Sequence, residues 1–427
     1  MADPTHSTLT YSAVLQPYMP VFYVSFLVTL ILTPLMRRLA HRHGVVDDPD
    51  NKRKVHTQPI AYLGGVSIFL GWIAGVTVAV FLKSHFANAN SSTTVQIPPG
   101  ILMGAMAVVL FGLMDDVYSL SPKMKLLGQF IAALFLMLPG MVPLPGATGT
   151  DFLLGQDKGP GGMVIQTLVN MKVLSDSTLH APWVGLAVPL FSGIVVVGII
   201  VCTCNATNLL DGLDGLCSGV TGVMSVGYLI LALSLALTGV QDPLLDPVRV
   251  TLALALLGAV LGFLPYNFNP ASIFMGDTGS MFLGYMCGTM MLLFGQFRSF
   301  RWFLAAIIMF GLPMMDTLLA IVRRKLNGKP IFSPDSNHFH HFLIRRGFTV
   351  RRAVLLSYGV AALFVSFGLV IMFVQTRLAL GIYLVLFGWI IVAAFKMGMI
   401  FQQSPTMTAN TSLNLSVITP SEKKREE

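Results

Sequence analysis

Apolar residues in this chain gather into runs of bilayer-crossing length, and the polar stretches between them are short. A helix needs about 20 apolar residues to cross a hydrocarbon core. Runs near that length fall at 18–38, 61–82, 98–114, 126–145, 185–204, 218–239, 248–265, 281–297, 302–322, 353–374 and 379–400. They predict an all-α polytopic membrane protein, a bundle of about eleven transmembrane helices. Gly71-x-x-x-Gly75, Gly258-x-x-x-Gly262 and Gly284-x-x-x-Gly288 predict close packing inside one chain, with a homodimer face the lesser alternative.

Composition sharpens the class. Charged residues are 11% and hydrophobic ones 54%, whereas a soluble domain carries about a quarter charged residues. No hydrophilic stretch is long enough for a separate soluble domain. The four cysteines (Cys202, Cys204, Cys217 and Cys287) lie in or beside apolar runs and read as small packing residues.

Lys and Arg set a direction. With the N-terminus outside, the inner loops and tail carry 20 of the 27 basic residues. The expected order is an extracytoplasmic segment at 1–17, a transmembrane domain at 18–400 and a disordered cytoplasmic tail at 401–427. The outer stretch 139–185, rich in Gly and Pro, reads as a connector.

The acids carry the chemistry. All three Glu residues (Glu422, Glu426 and Glu427) sit at the extreme C-terminus, so interior acids are Asp. Asp115, Asp116, Asp211, Asp214 and Asp277 occupy polar islands that this orientation places on the cytoplasmic side. Carboxylates at a membrane edge are costly unless they pair, bind a metal or handle a proton. Adjacent Asp115 and Asp116 repel, which suits a metal ligand beside a proton acceptor, and Lys123 and Lys125 follow as phosphate contacts.

Polar residues recur at every third position over Asn205, Asn208, Asp211 and Asp214. On one straight helix that step would carry Asn205 and Asp214 to opposite sides. Gly212 and Gly215 permit a turn that re-aims them. Asn and Asp together suit a sugar or nucleobase. In Phe274-Met275-Gly276-Asp277-Thr278-Gly279-Ser280, glycines flank an Asp at a helix entry, where amides meet a phosphate and the carboxylate meets Mg²⁺. Phe274 suits base stacking or anchoring at the membrane interface.

His338, His340, His341 and Arg345 form a cluster suited to a diphosphate. Zinc is the weaker reading, because no His-Glu-x-x-His pairing is present. Lys54 lies in a basic stretch of the first inner loop. Asp316, inside the ninth run, is expected to pair with a polar group on a neighbouring helix. A polytopic ion-coupled transporter is the distant alternative. It would hold its polar groups near the bilayer midplane and often shows internal repeats, and neither is visible.

Together the islands resemble the polyprenyl-phosphate N-acetylhexosamine-1-phosphate transferases. The motifs carrying the resemblance are Asp115-Asp116, Asn205 to Gly215 and Phe274 to Ser280, followed by the His cluster. The resemblance implies a bundle of ten or eleven helices in a bacterial cytoplasmic membrane, with the active site on the inner face. It implies transfer from a UDP-N-acetylhexosamine to undecaprenyl phosphate, using Mg²⁺ or Mn²⁺ and releasing UMP, and no nucleic-acid partner.

On that pattern Asp277 is the best metal ligand, with Asp116 assisting. Asp115 and Asp116 handle the lipid phosphate, with Asp115 the proposed base. Asn205, Asn208, Asp211, Asp214 and Phe274 hold the nucleotide sugar, and Lys54, Lys125, His338, His340, His341 and Arg345 hold phosphate. His338-Phe339-His340-His341 lacks a following Glu and is similar to the branch using UDP-N-acetylglucosamine for envelope glycans such as lipopolysaccharide or teichoic acid. The alternative donor is UDP-MurNAc-pentapeptide or another UDP-N-acetylhexosamine.

Overall fold

The apolar runs fold as helices because bilayer-embedded backbone must satisfy its own N–H and C=O groups. The structure, a computed structural model, describes residues 10–47, 59–82, 95–137, 184–237, 245–295, 300–328, 330 and 338–396. Lys54, most of the outer stretch 139–185 and the tail 401–427 lie outside the described residues.

A short lead-in, Tyr11–Leu15 and Gln16–Tyr18, precedes α1 (Met19–His43), α2 (Gly64–Val80), α3 (Pro99–Tyr118) and α4 (Pro122–Met137). There follow α5 (Val184–Leu210), α6 (Leu216–Leu237), α7 (Leu245–Asn267) and α8 (Gly276–Phe294). The chain continues through α9 (Phe300–Met309), α10 (Gly311–Leu326), a short α11 (Phe339–Arg345), α12 (Val350–Ile371) and α13 (Thr376–Lys396). Each predicted run therefore carries a helix. Among the described residues 6 helices are long and apolar enough to cross a membrane, or 7 counting one bent pair as a single span.

That bent pair corrects the ninth run. In place of one straight span at 302–322, α9 and α10 meet at Phe310 with a bend of 74°. Pro313 has no N–H for the Met309 carbonyl, and its ring would collide with that carbonyl, so the helix stops and restarts. The Phe364 ring of α12 packs into the corner against Gly311.

Helix α1 shows how the bundle is organised. Its buried stripe is Val21, Ser25, Thr29 and Thr33, small or polar, while Tyr23, Leu27, Ile31 and Leu35 face outward. A soluble helix would reverse this arrangement; lipid makes the apolar outside and the close-packed small-residue inside favourable. Gly71 and Gly75 of α2 meet Thr29 and Ser25, and Gly258 and Gly262 of α7 meet the Phe22 and Phe26 carbonyls of α1. Gly284 and Gly288 of α8 meet Thr207 and Thr203 of α5. All three glycine pairs serve intramolecular packing.

At the far end of α7, Arg249 is fully buried, 2.7 Å from Asp246, and donates to the Leu293 carbonyl in the last turn of α8. Breaking such a pair by removing one partner typically costs about 3–5 kcal/mol. The four cysteines are free.

At the opposite end a small antiparallel pair, β1 (Val46–Asp47) and β2 (Ile60–Ala61), aligns Val46 with Ala61 and Asp47 with Ile60. The loop before α8 extends it. Phe274 N–H donates to the Ala61 carbonyl, Gly64 N–H to the Phe274 carbonyl and Gly65 N–H to the Met275 carbonyl. These bonds fix where α8 begins.

Candidate active site

Helix ends from α3 to α8 converge beside that β pair. Asp115 and Asp116 close α3, and Lys125 sits in the first turn of α4. Asn205 and Asn208 lie in the last turns of α5. Asp211 and Asp214 occupy the turn into α6, and Asp277 opens α8. Residues separated by up to 162 positions thereby come within hydrogen-bond reach.

Lys125 joins the carboxylates. Its Nζ lies 2.5 Å from Asp277 Oδ2 and 2.7 Å from Asp115 Oδ2. Asn208 Nδ2 donates to Asp277 Oδ1 at 2.8 Å and to Ser280 Oγ at 3.0 Å. Asp115 Oδ1 accepts the Leu120 N–H at 2.7 Å, pinning the turn after α3.

Asp116 does different work. Its Oδ1 accepts the Asp277 N–H at 2.7 Å, and its Oδ2 accepts the Thr278 N–H at 3.1 Å and the Thr278 hydroxyl at 2.5 Å. It satisfies amides at the start of α8 that have no partner within the helix. Gly276 stands at φ +66°, and a Cβ there would collide with the Asp116 carboxylate. Only glycine permits both the backbone conformation and the approach.

The turn Asp211–Gly215 breaks the helix, so the every-third-residue pattern divides into separate jobs. Asn205 Nδ2 donates to Gln129 Oε1 at 2.7 Å and to the Val201 carbonyl at 2.7 Å. Asp214 Oδ2 accepts from Asn269 Nδ2 at 2.9 Å and from the Ala271 N–H at 3.0 Å. Asp211 has no hydrogen-bond partner for its carboxylate among the described residues. Burial, then the carboxylates of Asp277, Asp116 and Asp214, push the Asp211 carboxyl up to about 8.

Over this turn lies the His cluster. His340 is buried, both its ring nitrogens lack partners among the described residues, and it packs against Gly212. Burial, with His341 beside it, holds the His340 imidazole down to about 3, so the ring is neutral at physiological pH. The His340 and His341 ring centroids are 4.3 Å apart. Arg345 is exposed at the end of α11. Phe274 is part-buried, its ring centroid 6.0 Å from that of Tyr62.

Asp115, Asp116 and Asp277 bring one oxygen each within 4.8 Å of one another. Hard carboxylate oxygens suit Mg²⁺ or Mn²⁺. The donor set fits such an ion best through Asp277 and Asp115, since three of the roughly four lone-pair sites of Asp116 already serve α8.

Several residues of this end were not singled out as site residues. Gln129 holds Asn205. Asn267 accepts from Gly215 N–H and Ser218 Oγ and donates to the Ile273 carbonyl. Tyr358 Oη donates to the Gly215 carbonyl at 2.5 Å. The visible signals were Gln129, a lone amide in an apolar run, and Asn267, which opens the polar stretch leading to Asp277.

The sequence profile of glycosyl transferase family 4 matches residues 98–295, the stretch holding every carboxylate of this site. A probable undecaprenyl-phosphate N-acetylglucosaminyl 1-phosphate transferase of Bacillus subtilis is 36% identical over 345 residues, 80% of this chain and 82% of the relative. The chain belongs to glycosyl transferase family 4. It is thus a multi-pass membrane phosphoglycosyltransferase. Within the family it is also similar to the decaprenyl-phosphate N-acetylglucosaminephosphotransferase of Mycolicibacterium smegmatis, 31% identical over 78% of this chain and 76% of the relative. The phospho-N-acetylmuramoyl-pentapeptide-transferase of Desulforudis audaxviator is 29% identical over 81% of this chain and 95% of its own.

Proposed function

We propose that this protein transfers N-acetylglucosamine 1-phosphate from UDP-N-acetylglucosamine to undecaprenyl phosphate, beginning a lipid-linked envelope glycan. The observation that carries this reading is the Asp115–Lys125–Asp277–Asn208 constellation at the meeting of the helix ends. An oxygen of the lipid phosphate attacks the β-phosphorus of the nucleotide sugar. The bond from that phosphorus to the bridging oxygen breaks, and UMP leaves with the electron pair.

The lipid phosphate is a monoester with a second pKa near 6, largely dianionic at pH 7, so attack does not depend on a strong base. Lys125 receives its charge, and Asp115 orients Lys125. Asp277 and Asp115 would hold the divalent ion, which when bound neutralises diphosphate charge. Asn208 fixes the Asp277 carboxylate. Asp211, whose carboxylate has no hydrogen-bond partner among the described residues, meets the nucleotide sugar, with Phe274 as the stacking surface for the base. Asn205 and Asp214 support this pocket through Gln129 and the 269–271 loop. His340, His341 and Arg345, with Lys54 from the first inner loop, engage the diphosphate.

The basic loops favour a cytoplasmic site, the N-terminus outside, about eleven spans and residues 18–400 as the catalytic domain. The absence of Glu after His341 favours UDP-N-acetylglucosamine over UDP-MurNAc-pentapeptide as donor.

The test is UMP release by membranes carrying the protein, with undecaprenyl phosphate, Mg²⁺ and each donor supplied separately. Release with UDP-N-acetylglucosamine alone is expected. Release with UDP-MurNAc-pentapeptide alone would overturn the donor, and silence with both would overturn the reaction.

A further inference from the structure

Asp316 is a carboxylate in an apolar helix, 3% exposed, a short way past the bend between α9 and α10. Its side chain pairs outside its own helix, with the His cluster. Asp316 Oδ2 lies 3.0 Å from His338 Nδ1, and Asp316 Oδ1 accepts the Phe339 N–H at 2.8 Å. An ionised carboxylate only accepts, so His338 Nδ1 carries the proton in this pair. In the neutral ring that leaves Nε2 as the acceptor.

The second bond seats the first residue of α11. His338 in turn stacks on His340, ring planes 6° apart and centroids 5.8 Å apart. His340 packs on Gly212, next to Asp211. A continuous chain of contacts runs from the bent helix to the catalytic turn.

We propose that Asp316 is a positioning residue that sets the tautomer of His338 and the seat of α11, and so places His340 for the nucleotide-sugar diphosphate. This rests on the transferase reading above. A buried pair retained only for stability would give a different experimental pattern. The rival predicts a lower melting midpoint and independent effects. Positioning predicts a loss confined to the nucleotide sugar and routed through His338.

The experiment is a double-mutant cycle on purified full-length protein, using Asp316→Asn, His338→Ala and the double variant. UMP release, UDP-N-acetylglucosamine affinity and thermal melting are read on each. Asp316→Asn keeps the shape but presents an NH₂ to His338 Nδ1, which forces the other tautomer. It is expected to lower kcat/KM for UDP-N-acetylglucosamine roughly 10- to 100-fold, the scale of loss when the partner that orients a metal-bound His is removed. The KM for undecaprenyl phosphate and the melting midpoint should stay unchanged, and the double variant should be no worse than His338→Ala.

Wild-type kinetics with Asp316→Asn, losses that multiply in the double variant, or a fall in melting with both KM values raised would each overturn the proposal. If Asp316→Asn is not recovered folded, Asp316→Glu replaces it in the same cycle. That variant keeps the charge on a longer arm, so a smaller loss, again absent in the His338→Ala background, is expected. Wild-type protein that releases no UMP would sink the transferase reading instead. The cycle would then be decided on UDP-N-acetylglucosamine affinity alone.

Discussion

Lys125 Nζ donates to Asp277 Oδ2 across 152 positions of sequence, and this single contact ties the entry of α4 to the entry of α8. The ammonium is shared with Asp115, so its charge offsets the repulsion between two carboxylates held close together. Lys125→Met should lower UMP release by about 10²–10³-fold, the usual range for removing one preorganised charge-stabilising group. Asp277→Asn should abolish release and flatten its Mg²⁺ dependence. Near-normal turnover by either variant would remove that residue from the chemistry.

Asp115 and Asp116 are adjacent yet should respond differently. Asp116→Ala strips partners from the Asp277 and Thr278 N–H groups and the Thr278 hydroxyl, and a lost buried partner costs about 1–3 kcal/mol. A lower melting midpoint should accompany its loss of activity. Asp115→Asn should suppress turnover with nucleotide-sugar affinity and melting preserved. Equal melting for the two variants would reject this division.

Gly212 and His340 touch, which gives a test that leaves the imidazole in the chain. A Cβ at residue 212 would overlap His340 Nε2. Gly212→Ala should therefore push the ring aside and raise the KM for UDP-N-acetylglucosamine, as His340→Ala should. If Gly212→Ala keeps the wild-type KM, His340 does not reach the diphosphate.

Asp211 makes a prediction about pH. Its folded carboxyl is raised to about 8, above the ordinary range near 4. Between those values the unfolded chain has lost a proton that the folded one keeps, so this group costs stability as pH rises from about 4 to 8. Asp211→Asn should thus melt like wild type near pH 4 and at higher temperature near pH 8, in nucleotide-free protein. A constant difference between the two across that window would show that Asp211 is ionised throughout.

Much of the site was legible because its motifs are local. Asp115-Asp116, the Asn205 to Gly215 stretch and Phe274 to Ser280 each interrupt an apolar run, and a polar island at a span end is visible without any partner. Their internal roles were not legible. Asn205 and Asn208 look alike in sequence, yet one holds Gln129 and the other holds Asp277. Asp211 and Asp214 are three positions apart, yet among the described residues one has no hydrogen-bond partner and the other is held by the 269–271 loop.

The sequence by itself determined that this is a helical membrane protein, where its long apolar runs lie, which family it belongs to and which residues gather its charge. Run length and short motifs decide those matters, and both are properties of contiguous chain. Tertiary structure alone decided that Asp116 serves the amides of α8, that Lys125 bridges Asp115 and Asp277, and that Asp316 reaches His338. It also decided that the ninth run bends at Phe310. The reason is geometric: a carboxylate's role depends on which donors lie within about 3 Å, and here those donors come from helix ends far apart in sequence.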